Sequence, residues 1–463
     1  DGNNDGVKAK SITVVATAGE ITQQASSAVA LHSTNGNVAL TAATKIGDAT
    51  EMDVQVIGGF LAINAVGAGD VNINANASAL ALGDILLGAA DTATIKTTGV
   101  ITTSEDIDSA GTLSLIGDNV LITNNLSAKA LTILSSDDAS TANGTLIVNN
   151  TNTLTTTGAM TLKAASILDD TTADILVTVG GRLIVDADGA AGLVKITSAA
   201  ALELGDIDLD AADTATITTT AALTSAAAIT SAGSLVLTGS GVTISQNITA
   251  HTLTLNSSSN GVLFDGALVV DNAFTLTSST GDVTLKAISI KDDAGADVLV
   301  VVGGDLVVDA DQALGDVLIT STTAALELGA IEIGTDDTIT IKASAGAVTT
   351  GAATNTVGTL VLTGNTVNIT DNLVFDAISI NASTNGTAVG DTTLVVHNDN
   401  TITATDGDLT LKARSILDND AADILVSVGS TGKLFVDTDG ATGAALITSA
   451  AAVKIGTVIS EAG

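Results

Sequence analysis

The amino-acid sequence predicts an all-β fold, a parallel β-solenoid built from stacked coils. Three observations predict it: a long internal repeat, a shorter period inside that repeat, and the lack of bulky or strand-breaking residues. The 463 residues include no Pro, Cys, Trp or Tyr and only five Phe. Compact globular cores rely on aromatic side chains, so a core of Ala, Val, Ile and Leu indicates a narrow, regular interior.

A six-residue motif marks the long repeat. It reads Leu-Glu-Leu-Gly-Asp-Ile at 202–207 and recurs, with changes, at 80–85, 326–331 and 453–456. The motif glycines are separated by 122, 124 and 127 residues. We therefore expect one continuous solenoid over residues 1–463, made of four super-repeats at approximately 1–110, 111–232, 233–357 and 358–463.

A shorter period of about twenty residues runs inside each super-repeat. Segments such as 252–256 and 282–286 alternate apolar and polar residues, as strands with one buried face do, and Gly, Asn, Asp and Ser turns separate them. A unit this short buries its apolar face only by stacking on copies of itself. About 22 coils at a rise of ~4.8 Å would give a rod on the order of 100 Å long.

The main alternative is four tandem β-sandwich domains, since about 100 residues suit an immunoglobulin-like unit. The twenty-residue period, the missing core Trp and Tyr, and the lack of linkers between copies count against it. The absence of Pro favours the solenoid, because Pro is excluded from central strands and nearly every solenoid strand is central.

Charge excludes several classes of function. The chain carries 51 acidic and 15 basic residues, a formal net charge of −36. Phosphate binding requires basic patches, so nucleic acid is not an expected partner. No apolar stretch approaches the ~18 residues of a membrane span, so membrane insertion is not expected either. The sequence starts without Met or an apolar leader, and we interpret it as a mature or excised segment.

Two segments carry a family resemblance: residues 233–239 (Gly-Ser-Leu-Val-Leu-Thr-Gly) and residues 407–413 (Gly-Asp-Leu-Thr-Leu-Lys-Ala). These segments, with the three-strand rhythm along almost the whole chain, resemble the repeats of filamentous haemagglutinin-type proteins. The resemblance implies a right-handed parallel β-helix exported to the bacterial surface as an adhesin or stalk. The amino-terminal secretion domain of that family is absent here.

Recurring acidic residues are candidate Ca²⁺ ligands, because spaced carboxylates followed by Gly supply oxygen atoms for calcium. A second candidate is the segment 1–6 (Asp-Gly-Asn-Asn-Asp-Gly), which matches the opening of a calcium loop. At the twelfth position of that loop, where a bidentate acid is expected, the chain has Ile12. The alternative for both is a solvent-facing turn. The candidate ligands are Asp186, Asp188, Asp309, Asp311, Asp437, Asp439, Asp1, Asn3 and Asp5. No other cofactor is expected.

We expect no enzymatic activity. Acidic pairs at 169–170, 292–293 and 418–420 recur with the fold, whereas a catalytic pair for glycoside hydrolysis should be unique and lie in a cleft. Polysaccharide lyases use similar folds, but only two Arg are present, at non-equivalent repeat positions. Thr-rich strands such as 214–219 leave ice binding as a further alternative, although Thr suits any outward strand position.

The expected function is that of a structural protein, secreted or on the bacterial cell surface, whose rod-like subunits associate head to tail into a filament, appendage or surface layer. Open solenoid ends are templates for strand pairing, and a contact that does not close produces filaments. The second hypothesis is an adhesin stalk that binds cell-surface glycans or proteins. Its contact points would be departures from the repeat, such as Phe264 and Phe375.

Overall fold

A computed structural model describes the chain as parallel strands without helices. The described residues are 5–23, 29–47, 51–67, 69–75, 79–136, 143–171, 174–187, 193–258, 266–271, 274–294, 297–310, 316–322, 325–352, 354–383, 392–397, 399–420, 424–438, 445, 447–449 and 452–460. Within these residues there is no helix, and hence none long and apolar enough to cross a membrane. The chain divides into two compact units, Asp1–Ser234 (unit 1) and Leu235–Gly463 (unit 2).

Unit 1 contains the first twenty-six strands. They are β1 (Asp5–Ala9), β2 (Ile12–Ala16), β3 (Val29–Ser33), β4 (Val38–Ala42), β5 (Met52–Gln55), β6 (Phe60–Ala65), β7 (Val71–Ala75), β8 (Ala79–Leu87), β9 (Thr92–Thr97), β10 (Val100–Thr103), β11 (Ile107–Asp108), β12 (Thr112–Gly117), β13 (Val120–Ile122), β14 (Leu126–Ala128), β15 (Ala130–Ser135), β16 (Thr145–Val148), β17 (Thr153–Thr156), β18 (Met160–Lys163), β19 (Ser166–Asp169), β20 (Ile175–Val179), β21 (Arg182–Ala187), β22 (Leu193–Ser198), β23 (Leu202–Leu209), β24 (Thr214–Thr219), β25 (Ala222–Ser225) and β26 (Ile229–Thr230).

The strands that follow belong to unit 2. They are β27 (Ser234–Gly239), β28 (Gly241–Ile244), β29 (Ile248–Ala250), β30 (Leu253–Ser257), β31 (Ala267–Val270), β32 (Thr275–Ser278), β33 (Val283–Lys286), β34 (Ser289–Asp292), β35 (Val298–Val301), β36 (Asp305–Ala310), β37 (Val317–Ser321), β38 (Ala325–Ile333), β39 (Thr338–Ala343), β40 (Ala347–Thr350), β41 (Thr354–Asn355), β42 (Thr359–Gly364), β43 (Thr366–Ile369), β44 (Leu373–Phe375), β45 (Ala377–Ala382), β46 (Thr393–Val396), β47 (Thr401–Ala404), β48 (Leu409–Lys412), β49 (Ser415–Asp418), β50 (Ile424–Val428), β51 (Leu434–Thr438), β52 (Ile447–Ser449) and β53 (Ile455–Ser460).

In each unit the strands form sheets in which neighbours come from successive coils. In unit 1 the three sheets have the orders β1-β3-β5-β7-β9-β12-β15-β18-β21-β23-β25, β2-β4-β6-β8-β10-β13-β16-β19 and β11-β14-β17-β20-β22-β24. In unit 2 the orders are β27-β30-β33-β36-β38-β40-β43-β46-β49, β29-β32-β35-β37-β39-β42-β45-β48-β51-β53, β28-β31-β34 and β41-β44-β47-β50-β52. The pairing is parallel, and the prediction of a β-solenoid is confirmed. About 18 turns are present, close to the 22 expected.

The core of each unit consists of aliphatic side chains stacked in register. In unit 1, Met160 of β18 pairs with Leu183 of β21, which pairs with Leu204 of β23. These three side chains are completely buried. The residues that precede and follow each of them along its own strand point outward. Each buried side chain of this size contributes about 1.5–3 kcal/mol of hydrophobic stabilisation. The alternating pattern in the sequence thus becomes a ladder in which each coil covers the next.

Asparagine side chains support the corners between strands. The Oδ1 atom of Asn125 accepts a hydrogen bond from the backbone N–H of Thr153 at 3.0 Å. Asn247 accepts one from Thr275 at 2.9 Å, and Asn372 accepts one from Thr401 at 2.8 Å. Each bond joins one coil to the next at the same place in a super-repeat. Because a backbone N–H group needs a hydrogen-bond acceptor, we assign these three asparagines a structural role.

The six-residue motif lies on the longest strands and creates a β-bulge. In β23 the register against β21 shifts between the partners of Leu183 and Val185. The same shift occurs in β8 against β6, in β38 against β36 and in β53 against β51. A bulge inserts one extra residue into a strand and bends it locally. The motif therefore marks a recurring irregularity in the ladder.

The motif glycine is required because an outward side chain of the preceding coil covers it. A Cβ atom on Gly205 would lie 2.7 Å from Cγ1 of Ile184, and one on Gly329 would lie 2.8 Å from Cγ2 of Val307. In the first copy the covering residue is Phe60, whose Cδ2 would be 2.5 Å from a Cβ on Gly83. Covering a sheet glycine with a large side chain excludes water from the bulge and fixes the register.

We predict that Gly205→Ala lowers the free energy of unfolding by about 1–3 kcal/mol, because the added methyl group overpacks the contact with Ile184. Thermal or denaturant unfolding measures this change. The matched control is Gly19→Ala, since a Cβ there meets nothing within 4 Å. Equal stability of the two variants would contradict the role assigned to the bulge.

Candidate functional site

One surface recurs in every super-repeat. It is the outward side of three neighbouring strands, the last of which contains the β-bulge. We call it the bulge patch and number it by super-repeat. The four patches are formed by β4, β6 and β8 (first), β18, β21 and β23 (second), β33, β36 and β38 (third), and β48, β51 and β53 (fourth). Each is a place where side chains from different coils come together.

A Lys–Asp column lies along one side of three of these patches. In the second patch, Nζ of Lys163 is 2.9 Å from Oδ2 of Asp186. In the third, Nζ of Lys286 is 3.7 Å from Oδ2 of Asp309. In the fourth, Lys412 is in register with Asp437. Ion pairs on a surface contribute little, about 0–1 kcal/mol each, so they align neighbouring coils more than they stabilise them.

This column contains three of the candidate calcium ligands. Asp186, Asp309 and Asp437 each lie beside a lysine, whose ammonium group competes with a metal ion for the carboxylate. No group of three or more His, Cys, Asp or Glu arranged to hold a metal ion occurs within the described part of the chain. Asp5 begins β1. Asp188, Asp311, Asp439, Asp1 and Asn3 lie outside the described residues, and calcium binding stays a prediction.

A second column consists of outward residues that are in register from coil to coil, and its charge differs between copies. In the second patch, Nε of Arg182 is 2.9 Å from Oε1 of Glu203 on the next coil. Both side chains are about half exposed. Glu203 also lines a cavity of about 300 Å³, together with Gly180, Gly181 and Leu202.

The equivalent column of the third patch is wholly acidic. Asp282 precedes β33, Asp305 begins β36, and Glu327 is in register with Asp305. The Oδ1 atom of Asp282 accepts a hydrogen bond from the backbone N–H of Asp305 at 2.9 Å. Burial, together with the negative charge of Asp282, raises the pKa of the Asp305 carboxyl above its ordinary value. Like charges are therefore stacked here at the spacing of neighbouring strands.

The equivalent column of the fourth patch is mostly basic. Asp408 precedes β48, but Lys433 and Lys454 occupy the positions of Asp305 and Glu327. Both lysines are exposed. The Nζ atom of Lys454 donates a hydrogen bond to the carbonyl oxygen of Ser430 at 2.7 Å. The same backbone geometry thus presents opposite charges in two copies.

Equivalent patches lie in different sheets within each unit. The first and second patches of unit 1 belong to different sheets, and so do the third and fourth patches of unit 2. One super-repeat is therefore not a whole number of turns. A feature that recurs once per super-repeat does not form a flat row on one face, and the patches of one unit are accessible independently.

Other candidates from the sequence have structural positions. Asp169, Asp292 and Asp418 each accept a hydrogen bond from the backbone N–H two residues later, which is the geometry of an Asx turn. In the Thr-rich strand β24, Thr214 and Thr216 are in register with Leu193 and Lys195 of β22, whereas Thr218 is in register with Thr197. Only one of the three outward threonines is therefore matched by another Thr on that neighbouring strand. Asp169, Asp292 and Asp418 thus act in turns.

The aromatic departures from the repeat have different positions. Phe375 is completely buried in the core of unit 2, so it fills space between coils and does not meet a ligand. Phe264 lies outside the described residues. Phe435, on the fourth patch, is only half-buried and was not singled out from the sequence, because its outward position depends on the register of β51.

Comparisons with protein families, with curated proteins and with solved structures found no match for this chain. The fold and its patches therefore carry the functional argument.

The Asp305 carboxyl gives a pH-dependent prediction. A carboxyl whose pKa is raised by folding costs stability above that pKa, and the cost disappears as the pH falls below the unfolded value of about 3.9. Asp305→Asn should therefore raise the melting temperature at pH 7, with a gain of less than about 1 kcal/mol, and give no gain near pH 3.5. The control is Asp84→Asn, which removes an exposed carboxylate. A gain for Asp305→Asn that is the same at both pH values would contradict the stacking of like charges.

Proposed function

We propose that the protein is a non-enzymatic structural subunit, located outside the cell or on the cell surface, that associates end to end into a filament, appendage or surface layer. The observation that carries the proposal is the exposure of core-ladder residues on the outermost described coils. Ile455 and Val458 are 66% and 58% exposed. They occupy inward positions, in register with the buried Leu434 and Val436.

The first described coil has the same property. Val7 of β1 is in register with Leu31 of β3. Leu31 is 5% exposed, whereas Val7 is 56% exposed. An inward aliphatic residue at the end of a solenoid is buried only when another coil covers it. The edge strand that carries such a residue can also pair its backbone groups with a further strand. A coil of a second copy supplies both kinds of contact.

A contact between two different ends does not close on itself, so it generates an open chain of subunits. The acidity of the protein suits such an assembly. A net charge of −36 keeps separate copies soluble through repulsion, and salt screens that repulsion within a Debye length of about 8 Å at physiological ionic strength. Assembly is therefore expected to need salt.

The resemblance of the repeats to filamentous haemagglutinin-type proteins supports the second candidate function, the stalk of a surface adhesin. A stalk uses the same solenoid as a spacer and places ligand recognition elsewhere. The two candidates differ in one measurable respect, because a stalk that serves only as a spacer does not self-associate through its end coils.

We predict that the purified chain forms filaments at physiological salt and that Val7→Asp/Ala9→Asp prevents end-to-end stacking within them, because two carboxylates at inward positions prevent another coil from stacking. Electron microscopy and light scattering measure the outcome. The matched control is Val66→Asp/Val357→Asp, which adds the same charge at two exposed valines away from the end coil. A monodisperse monomer for the unmodified chain at every salt concentration would refute end-to-end assembly.

A further inference from the structure

The fourth bulge patch contains a groove of about 380 Å³ on its outward side. Its walls include Thr410 and Lys412 of β48, Phe435 and Asp437 of β51, and Thr457 and Ile459 of β53. Phe435 is half-buried against the bulge glycine Gly456, and Ile459 is 47% exposed. The groove thus has an apolar centre and polar edges, as a protein interaction surface does.

Three lysines and two aspartates, Asp408 and Asp437, lie in or beside this groove. Lys412 lines the groove, and Lys433 and Lys454 lie on successive coils beside it. These are three of only fifteen basic residues in a chain with 51 acidic ones. A concentration of positive charge on so acidic a protein attracts an acidic partner.

The third bulge patch has the complementary character on the same backbone. Asp305 and Glu327 stand where the fourth patch has Lys433 and Lys454. Asp282 extends the acidic column by one coil, at the position of Asp408. Val307 covers the bulge glycine where Phe435 does in the fourth patch, so the third patch also has an apolar centre, but a smaller one.

We propose that the third bulge patch of one copy docks against the fourth bulge patch of a second copy. Both patches are built from strands of one spacing, about 4.8 Å per coil, so two neighbouring acids of the third column can face two neighbouring lysines of the fourth. Pairing with lysines also removes the repulsion between Asp282 and Asp305. The central contact is Phe435 with Ile459 against Val307, and an aromatic anchor surrounded by charged pairs is typical of specific interfaces.

This contact is lateral and distinct from stacking through the end coils. Because the two patches lie in different sheets of unit 2, one copy can use both, and the pairing continues from copy to copy as a heterologous contact. The inference rests on the proposed function in one respect, since it assigns the side-to-side contact of the same assembly. It shares strand β53 with the end coil, but it uses the outward Ile459 of that strand and not the inward Ile455 and Val458.

The test is a charge exchange in the Val7→Asp/Ala9→Asp chain, in which end-to-end stacking is blocked. One variant carries K433D/K454E, which gives the fourth patch the acidic column of the third. The other carries D305K/E327K, which gives the third patch the basic column of the fourth. Sedimentation velocity measures association, and circular dichroism checks that both variants fold like the parent.

We expect the parent to associate, each variant alone to lose association by at least about tenfold, and an equimolar mixture of the two to regain it, because every acidic patch then finds a basic one. High salt should weaken the parent and the mixture alike. The control D84K/D206K changes the charge as much as D305K/E327K, at two exposed aspartates of unit 1, and should associate like the parent.

Unchanged association in both variants, or a mixture that stays monomeric, would overturn the lateral contact. Either result leaves the end-to-end proposal intact, because that proposal is judged by filament formation in the chain with unmodified end coils. Conversely, K433D/K454E in the chain with unmodified end coils leaves only end-to-end stacking, and its failure to form filaments at any salt concentration would refute that stacking, while the charge exchange still decides the lateral contact.

Discussion

The structure depends on the contact between one coil and the next. Each coil offers its neighbour a row of backbone hydrogen bonds and a row of inward aliphatic side chains, such as Met160, Leu183 and Leu204 in unit 1. Neither contribution suffices alone, because a coil of about twenty residues has no core of its own. Composition follows from this constraint: Pro cannot donate a ladder hydrogen bond, and large aromatic rings do not fit repeatedly into a narrow interior.

Inward positions are therefore fixed by the neighbouring coil, whereas outward positions vary. The bulge patches show the consequence most clearly. Their glycines are required in all four copies by the side chains that cover them, but the charged columns change from Arg182–Glu203 to Asp305–Glu327 to Lys433–Lys454. Under the proposed lateral contact, different versions of one surface on one scaffold would let copies of the chain recognise each other.

Much of the fold could be predicted from the sequence, since the alternation of apolar residues and the twenty-residue period report directly on burial. The coil count was slightly high because some coils are longer: neighbouring strands β15 and β18 begin at residues 130 and 160. The patches could not be predicted, because contact between Lys163 and Asp186 depends on the register between coils, and turn lengths set that register. The acidic pairs at 169–170, 292–293 and 418–420 were interpreted from the sequence as features that recur with the fold, and Asp169, Asp292 and Asp418 form Asx turns.

Amide hydrogen exchange measured strand by strand tests the coil-on-coil account most directly, because protection requires a hydrogen-bonded neighbour. The account predicts the slowest exchange in strands with a coil on both sides, such as β18 in unit 1 and β45 in unit 2, and progressively faster exchange towards β1 and β53. Protection concentrated in a few separate blocks, with rapid exchange in strands such as β18 and β45, would contradict it.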